Sequence, residues 1–120
     1  MSQTVLSNKD IVLALADALN RHDLDKARTY ISNDLEFHGV FGSSQGADAY
    51  LQSMASVRTN QEVKKVFADG NEVCVFYDLS IAAAPGTTLF GCGWFKLQNK
   101  KITFIRVVFD PRPLAAHNKQ

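Results

Sequence analysis

The sequence predicts an α+β fold, with helices in the first half and an antiparallel sheet in the second. Apolar residues recur at helical spacing up to residue 56, and from residue 61 the period falls to two. Helices followed by strands on short turns form the pattern of an α+β domain. A length of 120 residues suits one domain and can bury a core without staples.

Asn8 is placed to cap the first helix, with Asp10 in its first turn. Ile11, Leu15, Ala18 and Leu19 mark the buried stripe of that helix, which ends near Asn20-Arg21-His22. Asp23 caps a short second helix that carries Ala27 and Tyr30 and closes over residues 31–33. Residues 35–38 alternate weakly and read as a strand, and residues 39–46 as a flexible loop holding Phe41. Residues 47–56 place Ala47, Tyr50, Leu51 and Met54 on one side of a third helix. Strands follow over 62–68, 73–81, 88–97 and 102–109, separated by turns at 69–72, 84–86 and 98–101. Asp110-Pro111-Arg112-Pro113 ends regular structure, because neither proline can donate to a ladder. One domain is expected over 1–114, with a frayed tail at 115–120.

The apolar share is 46% and the charged share 21%, and a net charge of +1 offers no footprint for nucleic acid or an anionic membrane. Cys74 and Cys92 match no zinc spacing and read as reduced, buried thiols. The opening Met1-Ser2-Gln3-Thr4 has no basic segment followed by an apolar run, so no signal peptide is expected. No apolar stretch reaches transmembrane length. The expectation is a cytoplasmic protein with no metal and no cofactor: His22, His38 and His117 lack ligand spacing, and residues 42–46 lack the lysine of a phosphate loop. No serine or cysteine has a recognisable base partner in the sequence.

Three segments in order carry a family likeness: Ala18-Leu19-Asn20-Arg21-His22-Asp23-Leu24-Asp25, then Glu36-Phe37-His38 with Gly46-Ala47-Asp48-Ala49-Tyr50, then Val107-Val108-Phe109-Asp110-Pro111-Arg112-Pro113. Together they resemble the SnoaL-like branch of the NTF2-like superfamily over nearly the whole chain. The resemblance implies a cone of three helices packed on a curved antiparallel sheet, with an internal pocket. It also implies a choice of functions. The family includes ketosteroid isomerase, scytalone dehydratase, limonene epoxide hydrolase and polyketide cyclases, beside binding domains with no chemistry.

If the sheet curls as the resemblance implies, alternation aims Val75, Tyr77, Leu79, Ile81, Leu89, Gly91, Gly93, Phe95, Leu97, Thr103, Ile105, Val107 and Phe109 inward. Gly91 and Gly93 either bend their strand or leave room for a ligand. The outer face carries Cys74, Phe76, Phe90, Cys92, Trp94, Phe104 and Val108, which is too apolar for open solvent. A homodimer through Phe76, Phe90, Cys92, Trp94 and Phe104 is expected, the alternative being a cover from the C-terminal segment or a helix.

By the same resemblance His38 falls where ketosteroid isomerases keep their carboxylate base, and histidine titrates near neutrality. Leu15 and Gly93 stand where that enzyme keeps a tyrosine and a protonated acid, so its usual mechanism is not expected. Asp110 is the one acid near the last strands for a cyclase-type role, and Asp-Pro is also a common strand terminator. Asp78 and Arg106 should face outward, leaving no epoxide hydrolase set. Tyr77, Tyr30, Tyr50, Met54, Leu15, Phe41, Leu79, Gly91, Gly93, Ile105, Val107 and Phe109 are the candidate pocket residues. Two functions fit. One is binding of a small apolar molecule, with or without cofactorless isomerase, cyclase or dehydratase chemistry on a carbonyl compound. The other is a noncatalytic dimeric interaction domain with a filled pocket.

Overall fold

The computed structural model describes residues 6–117. The expectations for Met1-Ser2-Gln3-Thr4 and for the tail at 118–120 lie outside the described residues. Helix α1 spans Asn8–Asn20 and buries Ile11, Val12, Leu15, Ala18 and Leu19. Its cap is Ser7, not Asn8. The Ser7 Oγ accepts from the Asp10 amide at 3.1 Å, and the Asp10 carboxylate accepts from the Ser7 amide at 3.4 Å. Asn8 instead donates its side-chain amide to the Gly70 carbonyl. Helix α2, Leu24–Arg28, is capped by Asp23 as expected. It stops short of residues 31–33, because Ile31 is buried and pairs with Ile102 in the sheet.

The strands are β1 (Ile31–His38), β2 (Ser43–Gln45), β3 (Thr59–Asp69), β4 (Glu72–Ile81), β5 (Leu89–Gln98) and β6 (Lys101–Phe109), with α3 (Ala47–Val57) between β2 and β3. They form one sheet in the order β2-β1-β6-β5-β4-β3. The fold is the expected α+β class, with two additions. Within the expected loop at 39–46, Ser43–Gln45 pairs with Glu36–His38 as a short edge strand. And β1 runs parallel to β6, while the other pairs are antiparallel. A fourth helix, α4 (Arg112–His117), follows the last strand. Pro111 and Pro113 end the ladder but do not end regular structure, since a helix start tolerates proline. Among the described residues no helix is long and apolar enough to cross a membrane.

One face of the sheet holds the core with α1 and α3: Val73, Val75, Tyr77, Leu79, Leu89, Phe95, Leu97 and Ile105 are all buried. A register shift after Lys96 places Ile102, rather than Thr103, against that core. Thr103 hydrogen-bonds the Lys96 carbonyl instead. The two mid-strand glycines create no empty space. A Cβ at Gly91 would lie 2.7 Å from the Val108 carbonyl oxygen, and one at Gly93 would lie 2.8 Å from the Phe95 ring. Gly91 therefore admits the backbone of β6, and Gly93 admits an aromatic ring folded back over its own strand. Cys74 and Cys92 are free thiols but only half-buried, because they belong to the uncovered face.

Gly91→Ala is expected to destabilise the fold by about 1–3 kcal/mol, since backbone rather than a flexible side chain blocks the added methyl. Urea denaturation of both proteins measures the loss.

Candidate functional site

A cavity of about 350 Å³ lies between the concave face of the sheet, α3 and the β1–β2 loop. Strand β1 supplies Phe37, whose ring meets that of Tyr50 on α3 at 5.1 Å. Helix α3 adds Ser53, Met54 and Val57, one to two turns further on. Strand β4 contributes Tyr77, Leu79 and Ile81 at every second residue, and β6 contributes Ile105, Val107 and Phe109 in the same way. Thr59 and Gln61 of β3 and Ser44 of β2 add polar groups. Phe41 projects from the loop, 75% exposed, with its ring 5.9 Å from that of Phe109. Leu114 of α4 closes the same side.

Of the candidates read from sequence, Tyr50, Tyr77, Met54, Phe41, Leu79, Ile105, Val107 and Phe109 come together around this cavity. Leu15 does not: it is sealed in the core by the helices and the sheet. Tyr30 sits at the junction of α2 and β1, beneath the Lys26 ammonium, away from the lining. Gly91 and Gly93 are filled over by β6 and by Phe95.

The two candidate acid/base residues are also elsewhere. His38 follows Phe37 on the strand, and adjacent strand residues point to opposite faces. With Phe37 inside, His38 is outside, where its ring packs against Phe104 at 5.5 Å. It is bonded to Ser43 and Glu36. Asp110 lies past the end of β6, exposed, and holds the Arg112 guanidinium at 2.7 Å. Hydrogen bonds from Arg112 keep its carboxyl below the usual range. Phe37 and Ser44 were missed. The signal that finds them is parity: an inward Phe37 brings its register partner Ser44 with it.

Among the described residues no ionised side chain lines the cavity. Its polar equipment is hydroxyl and amide. Burial pushes the phenols of both Tyr50 and Tyr77 above their ordinary value of 10.0. Neither hydroxyl has a hydrogen-bond partner among the described residues. The Ser44 hydroxyl is buried and unpartnered. These donors are neutral at physiological pH and suit an oxygen or nitrogen acceptor on an uncharged guest. Among the described residues no three His, Cys, Asp or Glu side chains cluster as metal ligands.

Comparison with known proteins places this geometry. A family model described as a SnoaL-like domain matches residues 12–105. An NTF2-like protein of unknown function from Cytophaga hutchinsonii is 32% identical and superposes with a TM-score of 0.87, over 95% of this chain and 99% of that one. An epoxide hydrolase of the LEH-like type from Mycobacterium tuberculosis is 22% identical, with a TM-score of 0.79 over 92% of this chain and 87% of that one. A protein provisionally described as a polyketide cyclase, from Sinorhizobium meliloti, is 20% identical, with a TM-score of 0.75 over 82% of this chain and 94% of that one. The last two likenesses concern the fold. No curated protein matches the chain.

The raised phenol values carry a sign. A phenol held neutral by burial stabilises the fold fully below its unfolded value of 10.0, and that contribution is lost as pH rises beyond it. The melting temperature is therefore expected to fall above pH 10.0, and less steeply in Tyr50→Phe and Tyr77→Phe. Ultraviolet titration of tyrosinate should show a delayed step that each variant reduces.

Proposed function

The chain belongs to the SnoaL-like domain family, and from that premise we propose that it binds a small, uncharged, largely apolar molecule in the cavity under its curved sheet. The observation that carries this reading is the pair of buried tyrosines, Tyr50 and Tyr77, which line the cavity with no hydrogen-bond partner among the described residues. The Ser44 hydroxyl, buried and unpartnered in the same lining, costs stability, and a guest with an oxygen acceptor would remove that cost while also meeting the two phenols. The volume of about 350 Å³ falls at the small end of ligand pockets. Phe37, Met54, Ile105 and Val107 would hold its apolar part.

Binding is favoured over proton transfer on a carbonyl compound. That chemistry needs a base at the reacting atom. His38 lies on the other face of the sheet, and Asp110 is outside the lining and tied to Arg112. The lack of a charged lining group among the described residues also argues for a neutral guest, since a buried charge needs a partner. The half-buried thiols of Cys74 and Cys92 suit a reducing, cytoplasmic setting.

The outer face supports assembly as a homodimer. Phe90 is 60% exposed, Phe67 55%, Val108 50% and Trp94 40%, and Phe76, Cys92 and Phe104 lie among them half-buried. Charges of both signs rim this patch: Glu72 accepts from the Trp94 indole, and the Lys96 ammonium lies 4.6 Å from the Trp94 ring. An apolar centre with a polar rim is the anatomy of an interface, and mixed charge suits a self-complementary one.

Two measurements test these readings. The neutral fluorophore N-phenyl-1-naphthylamine should bind the native protein, and Met54→Trp, which fills the cavity, should weaken that binding at least about tenfold with the fold intact. Equal affinity in the variant would place the probe elsewhere. In sedimentation the native protein should be a dimer and Trp94→Glu a monomer. An unchanged mass would remove the outer face from the interface.

A further inference from the structure

Strands β1 and β2 align three side chains on the outer face at the edge of the sheet. Ser43 is the register partner of His38, and Glu36 stands two residues before His38 on the same face. The Ser43 Oγ lies 3.1 Å from His38 Nδ1, and His38 Nε2 lies 2.5 Å from Glu36 Oε2. In the tautomer that carries its proton on Nε2, the carboxylate accepts from Nε2–H and Nδ1 is free to accept from the serine hydroxyl. The Phe104 ring at 5.5 Å supports the imidazole from the side. A hydroxyl, a base bonded to it and an acid orienting that base is the arrangement of an activated nucleophile.

We propose that Ser43 is an acyl-accepting nucleophile toward uncharged carboxylic esters, with His38 as its general base and Glu36 as the residue that positions the imidazole. One further observation bears on it. In the loop before Ser43, the Gly39 amide donates to the Gly42 carbonyl at 2.8 Å and closes the turn. The amides of Val40, Phe41 and Gly42 donate to no described residue, so this loop keeps N–H donors of the kind a developing oxyanion requires.

The reaction closes without a cofactor. The Ser43 Oγ bonds to the ester carbonyl carbon, its proton passes to His38 Nδ1, and the carbonyl electron pair moves onto oxygen. Collapse of that adduct breaks the bond to the alcohol oxygen, which leaves with the proton from His38. Water then repeats the sequence on the acyl-serine, releasing the carboxylic acid and restoring the hydroxyl. The cluster borders the aromatic patch at Phe104, on the side toward the sheet edge, and does not depend on the cavity being occupied.

Diisopropyl fluorophosphate, which traps activated serines, is the first probe. The full chain is expected to take one label, mapped by mass spectrometry to Ser43. Hydrolysis of p-nitrophenyl acetate, too small to need the cavity, should fall about 100-fold or more in Ser43→Ala and in His38→Gln. Glu36→Gln should lower kcat about tenfold with KM unchanged. Label absent from Ser43 in the native chain, or acetate turnover unchanged in Ser43→Ala, would overturn the proposal and leave the three residues as a cross-strand hydrogen-bond chain. The labelling arm needs no variant, so a misfolded substitution cannot obscure the answer.

Discussion

Strand β6 holds two registers at once, and every side-chain placement around the cavity depends on them. On one side it pairs antiparallel with β5, Gly93 opposite Val107 and Phe95 opposite Ile105. On the other it pairs parallel with β1, Phe37 beside Ile105 and His38 beside Arg106. Because a slip of one residue turns every side chain to the opposite face, the two pairings together decide which of Phe37 and His38 is inside. The close approach at Gly91, where the β6 backbone occupies the space of a side chain, anchors the first register. Ile31 against Ile102 anchors the other end of the second.

The inner face shows a trade between packing and openness. Near α1 the sheet is filled completely, with Leu15, Leu35, Leu97 and Ile102 nearly inaccessible. Toward the ends of β4 and β6 the layer over the sheet is α3 with Leu114 of α4, and the space between them stays open. Tyr50 and Tyr77 mark the boundary between these two regions. Their rings contribute to the core, while their hydroxyls reach no partner among the described residues. Phenylalanine would fill the same ring positions, so the two hydroxyls are a feature that packing alone does not call for.

The outer face distributes its residues by strand. Aromatic side chains gather on β4, β5 and β6, where Trp94 meets Phe104 and Phe76 meets Phe90. Polar hydrogen-bonded side chains occupy β1 and β2 at one edge. At the other edge a bulge at Lys64 turns β3, and the Lys64 ammonium bridges Glu62 and Asp78. Charge at both margins leaves the apolar centre as the surface open to association, and it discourages strand addition at the edges.

By itself the sequence determined the class of fold, the helices α1 and α3, the four long strands and the two-faced character of the sheet. These follow from local periodicity, which is written into neighbouring residues. The inward set Tyr77, Leu79, Ile105, Val107 and Phe109 was legible for the same reason. Only the tertiary structure decided the rest. The parallel β1–β6 pair and the short β2 rest on contacts between residues far apart in the chain, and three residues such as Ser43-Ser44-Gln45 carry too little pattern to announce a strand. Thr103 was displaced by a bulge that no local spacing signals. His38 was drawn toward the cavity by resemblance to a position that holds a base in other members of the family. Here the neighbouring Phe37 takes the interior, and the alternation of the strand sends His38 to Ser43 and Glu36. Which of two adjacent side chains faces the core is set by the registers of β1 on β6 and β6 on β5, and a register is a property of the assembled sheet rather than of any one strand.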